Sequence, residues 1–325
     1  MRRIRYHEYG DPEVLKIEEA DVPEPGPGQV LVRVEAIGAH FVDTKSRQGP
    51  TSGALFQRPL PGKPGGDVVG TVEAVGDGAD PALIGARVAA LVGEDAYADY
   101  VTADTSWLVL VPDGLDTATA TVLPMAAPVA LGALRIARTA PGETVLVHSA
   151  AGGIGHLAVQ LAKLLGAGTV IATASAPDKL AFTREHGADA AVDHTRGDWP
   201  DRVRDAAPHG VDVVLDAVGG DVLRHSVDLL APLGRAVTYG AASGDLTGVP
   251  LTSVFGLRTL TGFTIMGWRK SAPEQARRDV AEATEHAAAG RLRTAVHARL
   301  PLTEAATAHR LLEERTNLGR VLLLP

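Results

Sequence analysis

The run Thr144-Val145-Leu146-Val147-His148-Ser149-Ala150-Ala151-Gly152-Gly153-Ile154-Gly155, continued by His156-Leu157-Ala158-Val159-Gln160-Leu161-Ala162-Lys163, decides how the chain is read. An apolar strand, a glycine turn and an amphipathic helix follow one another in the order that a dinucleotide-binding unit needs. Gly152 lets the backbone approach a pyrophosphate, and Gly155 lets helix and strand pack closely. The helix start offers N–H groups to the anion. Ala150 stands at the first position of the usual G-x-G-x-x-G, so the pattern draws its weight from its surroundings. Ala150, Gly152, Gly153, Ile154 and Gly155 are the expected pyrophosphate seat.

Outward from the turn, strand-length apolar runs alternate with helical stretches at 144–148, 155–165, 170–173, 179–185, 211–218, 222–230 and 235–239. That alternation predicts an α/β unit with a parallel sheet and helices on both faces. Before residue 117 the text is β-like instead. Val30-Leu31-Val32-Arg33-Val34 and Asp67-Val68-Val69-Gly70-Thr71-Val72 are punctuated by Pro23-Glu24-Pro25-Gly26-Pro27-Gly28 and Pro61-Gly62-Lys63-Pro64-Gly65-Gly66. A helix at 272–290, a strand near 296–300, a helix at 303–314 and a strand at 320–324 end the chain outside the alternation. The uncharged stretch 117–134, interrupted by Pro124 and Pro128, reads as buried packing.

The second strand of the α/β unit ends Val170-Ile171-Ala172-Thr173-Ala174-Ser175. An NAD site usually carries an acid there to hold both ribose hydroxyls. Ala174 takes that place, while Ser175 and Lys179 offer a hydroxyl and a cation to a 2′-phosphate, so NADPH is the expected cofactor.

Composition narrows the function classes. The 325 residues are 45% hydrophobic and 22% charged, the proportions of a folded chain of about two domains. With no cysteine, disulfide frameworks, thiolate metal sites and cysteine nucleophiles are excluded. A net charge of −8 without a lysine-rich tract argues against a nucleic-acid partner. The start, Met1-Arg2-Arg3-Ile4-Arg5-Tyr6-His7-Glu8, lacks the apolar core of a secretory signal, and no run is apolar enough to span a bilayer. A cytoplasmic protein with a small-molecule substrate and no membrane partner is expected.

Seven ordered segments resemble the medium-chain dehydrogenase/reductase superfamily, in its zinc-free quinone oxidoreductase branch, which includes the zeta-crystallins. They are His7-Glu8-Tyr9-Gly10-Asp11-Pro12-Glu13-Val14-Leu15, Pro25-Gly26-Pro27-Gly28-Gln29-Val30-Leu31-Val32, Gly66-Asp67-Val68-Val69-Gly70-Thr71-Val72, the glycine turn, Leu215-Asp216-Ala217-Val218-Gly219-Gly220, Gly240-Ala241-Ala242-Ser243-Gly244 and the tail Gly319-Arg320-Val321-Leu322-Leu323-Leu324-Pro325. The resemblance covers nearly the whole chain. It implies a GroES-like catalytic domain from 1–117 and 268–325, a Rossmann domain at 118–267, and a homodimer joined through the last Rossmann strand near 259–266.

The superfamily's alcohol dehydrogenases hold catalytic zinc with cysteine, histidine and cysteine, and the matching positions here read His40, Gly66 and Pro124. The resemblance therefore implies a metal-free site. Without a Lewis acid to ionise an alcohol, an acceptor that takes hydride readily is favoured. The expected activity is NADPH-dependent reduction of a quinone or related conjugated carbonyl. An enone, enal or enoyl-thioester reductase is the alternative, and a non-catalytic NADPH-binding structural or regulatory protein the second one.

The branch's Asn-x-x-Asp-x-Tyr-x-x-Arg pattern is matched by His40-Phe41-Val42-Asp43-Thr44-Lys45-Ser46-Arg47, which keeps Asp43 and an arginine at 47 but not the Asn and Tyr. The implied catalytic group is His40, Asp43, Lys45 and Arg47, with His40 titrating near neutrality as a proton donor or substrate ligand. The resemblance also implies His194 and Arg315 beside the 2′-phosphate, Gly240, Ala241 and Ala242 flanking the nicotinamide, and Phe56, Pro128, Phe263 and Trp268 in the substrate pocket.

Overall fold

Described for residues 1–52 and 56–325, the computed structural model divides into two compact units: Met1–Met125 with Thr284–Pro325, and Ala126–Ala283. In the first unit, β1 (Arg2–Arg5) pairs antiparallel with β2 (Lys16–Glu19). Valine-rich β3 (Gln29–Gly38) precedes the short helix α1 (Phe41–Gln48). Then come β4 (Gly66–Val75), β5 (Arg87–Val92), β6 (Tyr100–Asp104), β7 (Val109–Leu110) and α2 (Thr117–Ala120). Helix α1 carries Asp43 in its first turn and Lys45 and Arg47 in its last, the charge order that suits a helix dipole, and stops at Gly49 with φ +71°.

The second unit begins with α3 (Ala126–Ile136), apolar all round and buried from Ala126 to Leu134. It continues with β8 (Thr144–Val147), α4 (Gly155–Leu164), β9 (Thr169–Ala174), α5 (Pro177–Glu185), β10 (Ala190–Asp193), α6 (Trp199–Ala206), β11 (Val211–Asp216), α7 (Gly220–Asp228), β12 (Leu230–Thr238), β13 (Thr259–Gly262), α8 (Ile265–Ser271) and α9 (Pro273–Ala288). Its six strands are all parallel in the order β10-β9-β8-β11-β12-β13. This is the doubly wound order that reverses between the first and fourth strands, and the crevice at such a switch point is where ligands bind. Leu146, Ile171, Val214, Ala236, Trp199, Val203 and Val227 form the core of the sheet and its helices.

The chain passes back to the first unit within α9, at Thr284, and completes it with β14 (Val296–Pro301), α10 (Ala305–Glu313) and β15 (Arg320–Leu324). A seven-stranded sheet results, in the order β14-β15-β3-β4-β5-β7 with β6 on β3. Ile4, Tyr6, Val32, Ile37, Val68, Tyr97, Leu302, Leu312 and Leu323 share its core.

Three expectations shift. The first unit runs past 117, because Arg87 binds the Leu115 carbonyl and Thr117 Oγ1, and Arg320 reaches the Thr121 carbonyl. The second unit runs past 267, because Arg135 of α3 grips Asp279 and Glu282 of α9. Finally, the strand expected over 259–266 ends at Gly262. Thr264 caps α8 by accepting the Gly267 N–H, so Ile265 and Met266 are helical.

Candidate functional site

Two clusters of functional side chains form, one in each unit. In the second, β8 feeds the glycine turn through Ser149, which takes φ +50°. A Cβ on Gly155 would stand 2.2 Å from the Ser149 carbonyl oxygen and 2.7 Å from the Ala150 Cα, so only glycine lets α4 start this close to the strand. Gly152 is less crowded: a Cβ there would stand 3.2 Å from the same oxygen, closer than usual but relieved by a small shift. The N–H groups of Gly153, Ile154 and Gly155 make no backbone hydrogen bond among the described residues. They are partners that a pyrophosphate can use at the start of α4.

His148 holds the turn from below. Ser226 Oγ donates to the Val222 carbonyl, so it accepts from His148 Nε2–H at 2.7 Å, and His148 Nδ1 accepts from Thr173 Oγ1 at 2.8 Å. One imidazole thus ties the ends of β8 and β9 to α7. Burial pushes His148 down to about 3, so it is neutral, and its ring stands edge-on to Trp199.

Along the same edge the His194 N–H donates to the Ala174 carbonyl, bringing His194 beside Ala174 and Ser175, with Lys179 on the first turns of α5. Gly240, Ala241 and Ala242 follow β12, and the Ala242 N–H donates to Ala217 O. Asp216 organises this corner, accepting from the Val218 and Gly219 N–H groups and from Thr238 Oγ1. Burial raises its pKa above the usual carboxylate range. Arg315 belongs to the other unit, in an exposed left-handed turn after α10.

In the first unit His40 is the N-cap residue of α1, yet its ring makes no cap bond. His40 Nε2 lies 2.9 Å from Asp67 Oδ2, which also receives Arg320 at 2.8 Å. Because Asp67 accepts, the ring proton sits on Nε2, and Nδ1 lies 3.9 Å from Asp43 Oδ2. Asp43 Oδ1 accepts the Gly65 N–H, while Asp43 Oδ2 is buried without a hydrogen bond. Burial pushes Asp43 up to about 6, against the opposing pull of His40, the Gly65 N–H and Arg58. Gly38 has a structural reason: a Cβ there would lie 1.8 Å from the Arg320 guanidinium, so glycine leaves its path to Asp67 open.

The donor set around His40 does not fit a catalytic zinc. Position 66 has no room for a ligating side chain, since even a Cβ would lie 2.7 Å from Ile37 Cγ2. His40 Nε2 is committed to the Asp67–Arg320 ion pair.

Several sequence assignments are corrected. Arg47 is fully buried and bonds the Gly10 carbonyl, His309 Nδ1 and Glu313, so it fastens α1 to α10 and cannot meet a substrate. Lys45 lies over the Phe41 ring and donates to Gln48, so its charge is directed along α1. Phe263 is 4% exposed and packs on Trp268, whose Nε1 donates to Asp279. Pro128 is buried in α3. These three residues belong to the packing of α3, α8 and α9 rather than to an open pocket wall. Phe56 is partly buried. Sequence reading missed Asp67, Arg320, Asp216 and the role of His148. The available signal was a charge or imidazole inside an apolar strand run, as in Gly66-Asp67-Val68-Val69, which a fold tolerates only with a partner.

Comparisons with known proteins follow the same division. An alcohol dehydrogenase GroES-like domain matches residues 26–113, and a zinc-binding dehydrogenase domain matches 153–284. A quinone oxidoreductase of Pseudomonas aeruginosa is 37% identical over 100% of this chain and 99% of its own length. A 2-haloacrylate reductase of a Burkholderia species is 34% identical over 98% and 97%. Among solved structures, a mycobacterial protein in complex with NADPH superposes with a TM-score of 0.91 at 34% identity, covering 100% of both chains.

Proposed function

We propose that this chain, which belongs to the quinone oxidoreductase branch of the medium-chain dehydrogenase/reductase superfamily, is a zinc-independent reductase that transfers hydride from NADPH to a quinone or a related conjugated carbonyl. The observation that carries the reading is the pairing of a pyrophosphate seat at 150–155 with a second strand that ends in Ala174-Ser175 instead of an acid. When bound, NADPH supplies the hydride from its reduced nicotinamide ring. The N–H groups of Gly153, Ile154 and Gly155 hold the pyrophosphate. Ser175, Lys179 and His194 meet the 2′-phosphate, and Gly240, Ala241 and Ala242 border the nicotinamide. His40 holds or protonates the acceptor oxygen from a site in which a carboxylate fixes its tautomer. Zinc independence is supported by the crowding at Gly66 and by the Asp67–Arg320 ion pair that occupies His40.

The reading is tested by following NADPH and NADH oxidation against a benzoquinone, a phenanthrenequinone, a 2-enal and an enoyl thioester, with the parent and Lys179→Ala. Turnover of quinones with NADPH preferred is the expected result, and a charge-assisted contact of about 1.5–3 kcal/mol predicts that Lys179→Ala lowers the NADPH-to-NADH preference about 10- to 100-fold. Turnover of alkenes alone moves the protein to the double-bond reductases, a reading to which the haloacrylate reductase relative lends weight. Tight NADPH binding with no turnover overturns the enzymatic reading.

The same reading includes a homodimer through β13. This strand pairs only with β12 among the described strands, leaving its outer edge open. Leu251, Phe255, Leu257 and Met266 are 71%, 71%, 67% and 64% exposed around it. An open edge beside exposed apolar side chains is a surface that soluble proteins usually cover. Light scattering is expected to give twice the chain mass, and half that mass in Phe255→Asp. A monomeric parent removes the dimer from the reading.

A further inference from the structure

The acidic cluster behind His40 has more parts than orienting an imidazole requires. Asp67 and Arg320 already fix the ring, yet a second carboxyl, Asp43, faces the other ring nitrogen with a buried oxygen that has no hydrogen bond. At 3.9 Å the two are too far apart for a direct hydrogen bond and close enough for a small movement or one intervening oxygen to join them. Asp43 also lines a cavity of about 180 Å³ with Tyr6, Ser46, Arg58 and Lys63. The carboxyl therefore borders the cavity on one side and lies 3.9 Å from His40 Nδ1 on the other.

We propose that Asp43 is a proton-relay residue, taking protons from this cavity and passing them through His40 Nδ1 to the acceptor oxygen after hydride transfer. The proposal rests on the reductase reading above and deepens it. The hydride carries its electron pair from NADPH to the acceptor, which becomes an oxyanion. The Asp43 O–H bond breaks as an Nδ1–H bond forms on His40, and that Nδ1–H bond breaks in turn as the product O–H forms, leaving NADP⁺ and His40 neutral again with its proton on Nε2. Solvent then reprotonates the Asp43 carboxylate from the cavity. One NADPH, one acceptor and one proton give NADP⁺ and the two-electron-reduced product. Asp67 is a positioning residue, since it holds the ring through Nε2–H and leaves Nδ1 as the nitrogen that exchanges the proton.

The charges around the carboxyl suit this task. Burial holds Asp43 up to about 6, so it exchanges a proton near neutrality. His40 and Arg58 favour its ionised form, and Asp67 opposes it. Burial keeps Tyr6, pushed up to about 12, and Tyr97 protonated beside it. Lys63 is paired with Glu94 across the cavity mouth.

The test compares the parent with Asp43→Asn, which keeps an oxygen for the Gly65 N–H and cannot carry the proton. Nitrogen-15 NMR of the cofactor-free protein is expected to show the His40 Nδ1 resonance moving as the Asp43 carboxyl ionises near pH 6 in the parent, and losing that movement in Asp43→Asn. In turnover, loss of acid–base assistance typically amounts to 10²–10⁴-fold. Because His40 remains, kcat is expected to fall about 10- to 100-fold, with the KM for NADPH within about twofold of the parent. Small weak acids such as imidazole are expected to restore the rate in proportion to concentration, which a merely structural lesion does not allow. A His40 Nδ1 resonance that responds identically in parent and variant, or a kcat loss that no small acid restores, overturns the relay. Absence of turnover with every acceptor overturns the reductase reading, while the NMR comparison still decides whether His40 and Asp43 share a proton.

Discussion

Gly155→Ala is expected to abolish usable NADPH binding while leaving the first unit intact. The added methyl would stand 2.2 Å from the Ser149 carbonyl oxygen and 2.7 Å from the Ala150 Cα, both backbone atoms, so no side-chain rotation relieves the contact. Either α4 retreats from β8 or the turn opens. In both cases the N–H groups of Gly153, Ile154 and Gly155 cease to converge. Hydrogen bonds to a charged group contribute about 1.5–3 kcal/mol each, so losing two costs about 3–6 kcal/mol, roughly 10²–10⁴-fold in Kd. Overpacking itself adds about 1–3 kcal/mol of destabilisation. Fluorescence titration with NADPH measures the first effect and urea unfolding the second. Gly197→Ala is the control, since its Cβ would meet nothing within 4 Å. A Gly155→Ala protein that binds NADPH like its parent would falsify the assignment of this turn as the pyrophosphate seat.

The strand, turn and helix at 144–163 were legible because their geometry is local: they lie within twenty consecutive residues, and Gly155 answers to its immediate neighbours. The last strand, 320–324, was read at its observed bounds for the same reason, as an unbroken apolar run. Short or polar elements were not legible. β10 has four residues, and α6 begins Trp199-Pro200 with its apolar face reduced to Trp199 and Val203. Tertiary packing against the β9 and β11 side of the core, not periodicity, makes them regular. The His40 cluster illustrates the remaining gap. Asp67 lies 27 residues from His40, and Arg320 lies 253 residues from Asp67, so no spacing rule joins them. Sequence identified His40 as the departure from the family pattern and Asp43 beside it, but not Asp67, the carboxylate that takes the His40 Nε2–H.

Arg47→Met is expected to be the most destabilising single change at the residues assigned to catalysis from sequence, and to act through folding instead of chemistry. The Arg47 side chain is wholly buried between α1 and α10. Its guanidinium bonds the Gly10 carbonyl, pairs with Glu313 and donates through Nε to His309 Nδ1 at 3.3 Å. His309, pushed down to about 3 by burial, is neutral, and with Nδ1 accepting, its Nε2–H donates to Tyr97 Oη at 3.2 Å. Methionine fills much of the volume but leaves the Glu313 carboxylate, only 18% exposed, with Gln48 as its remaining hydrogen-bond donor. Breaking one side of a buried ion pair costs about 3–5 kcal/mol, a large share of the roughly 5–15 kcal/mol that holds a protein folded. Removing both charges is far milder, because no carboxylate is then stranded, so Arg47→Met with Glu313→Leu is expected to recover most of the loss. Urea unfolding at low temperature measures both variants, and NADPH oxidation by the folded fraction separates stability from rate. If the single variant keeps the parent's unfolding midpoint while kcat collapses, Arg47 acts in the reaction after all and the α1–α10 clamp is not its purpose. If the double variant is both stable and active, the guanidinium serves only to pin α1, and with it His40 and Asp43, in place.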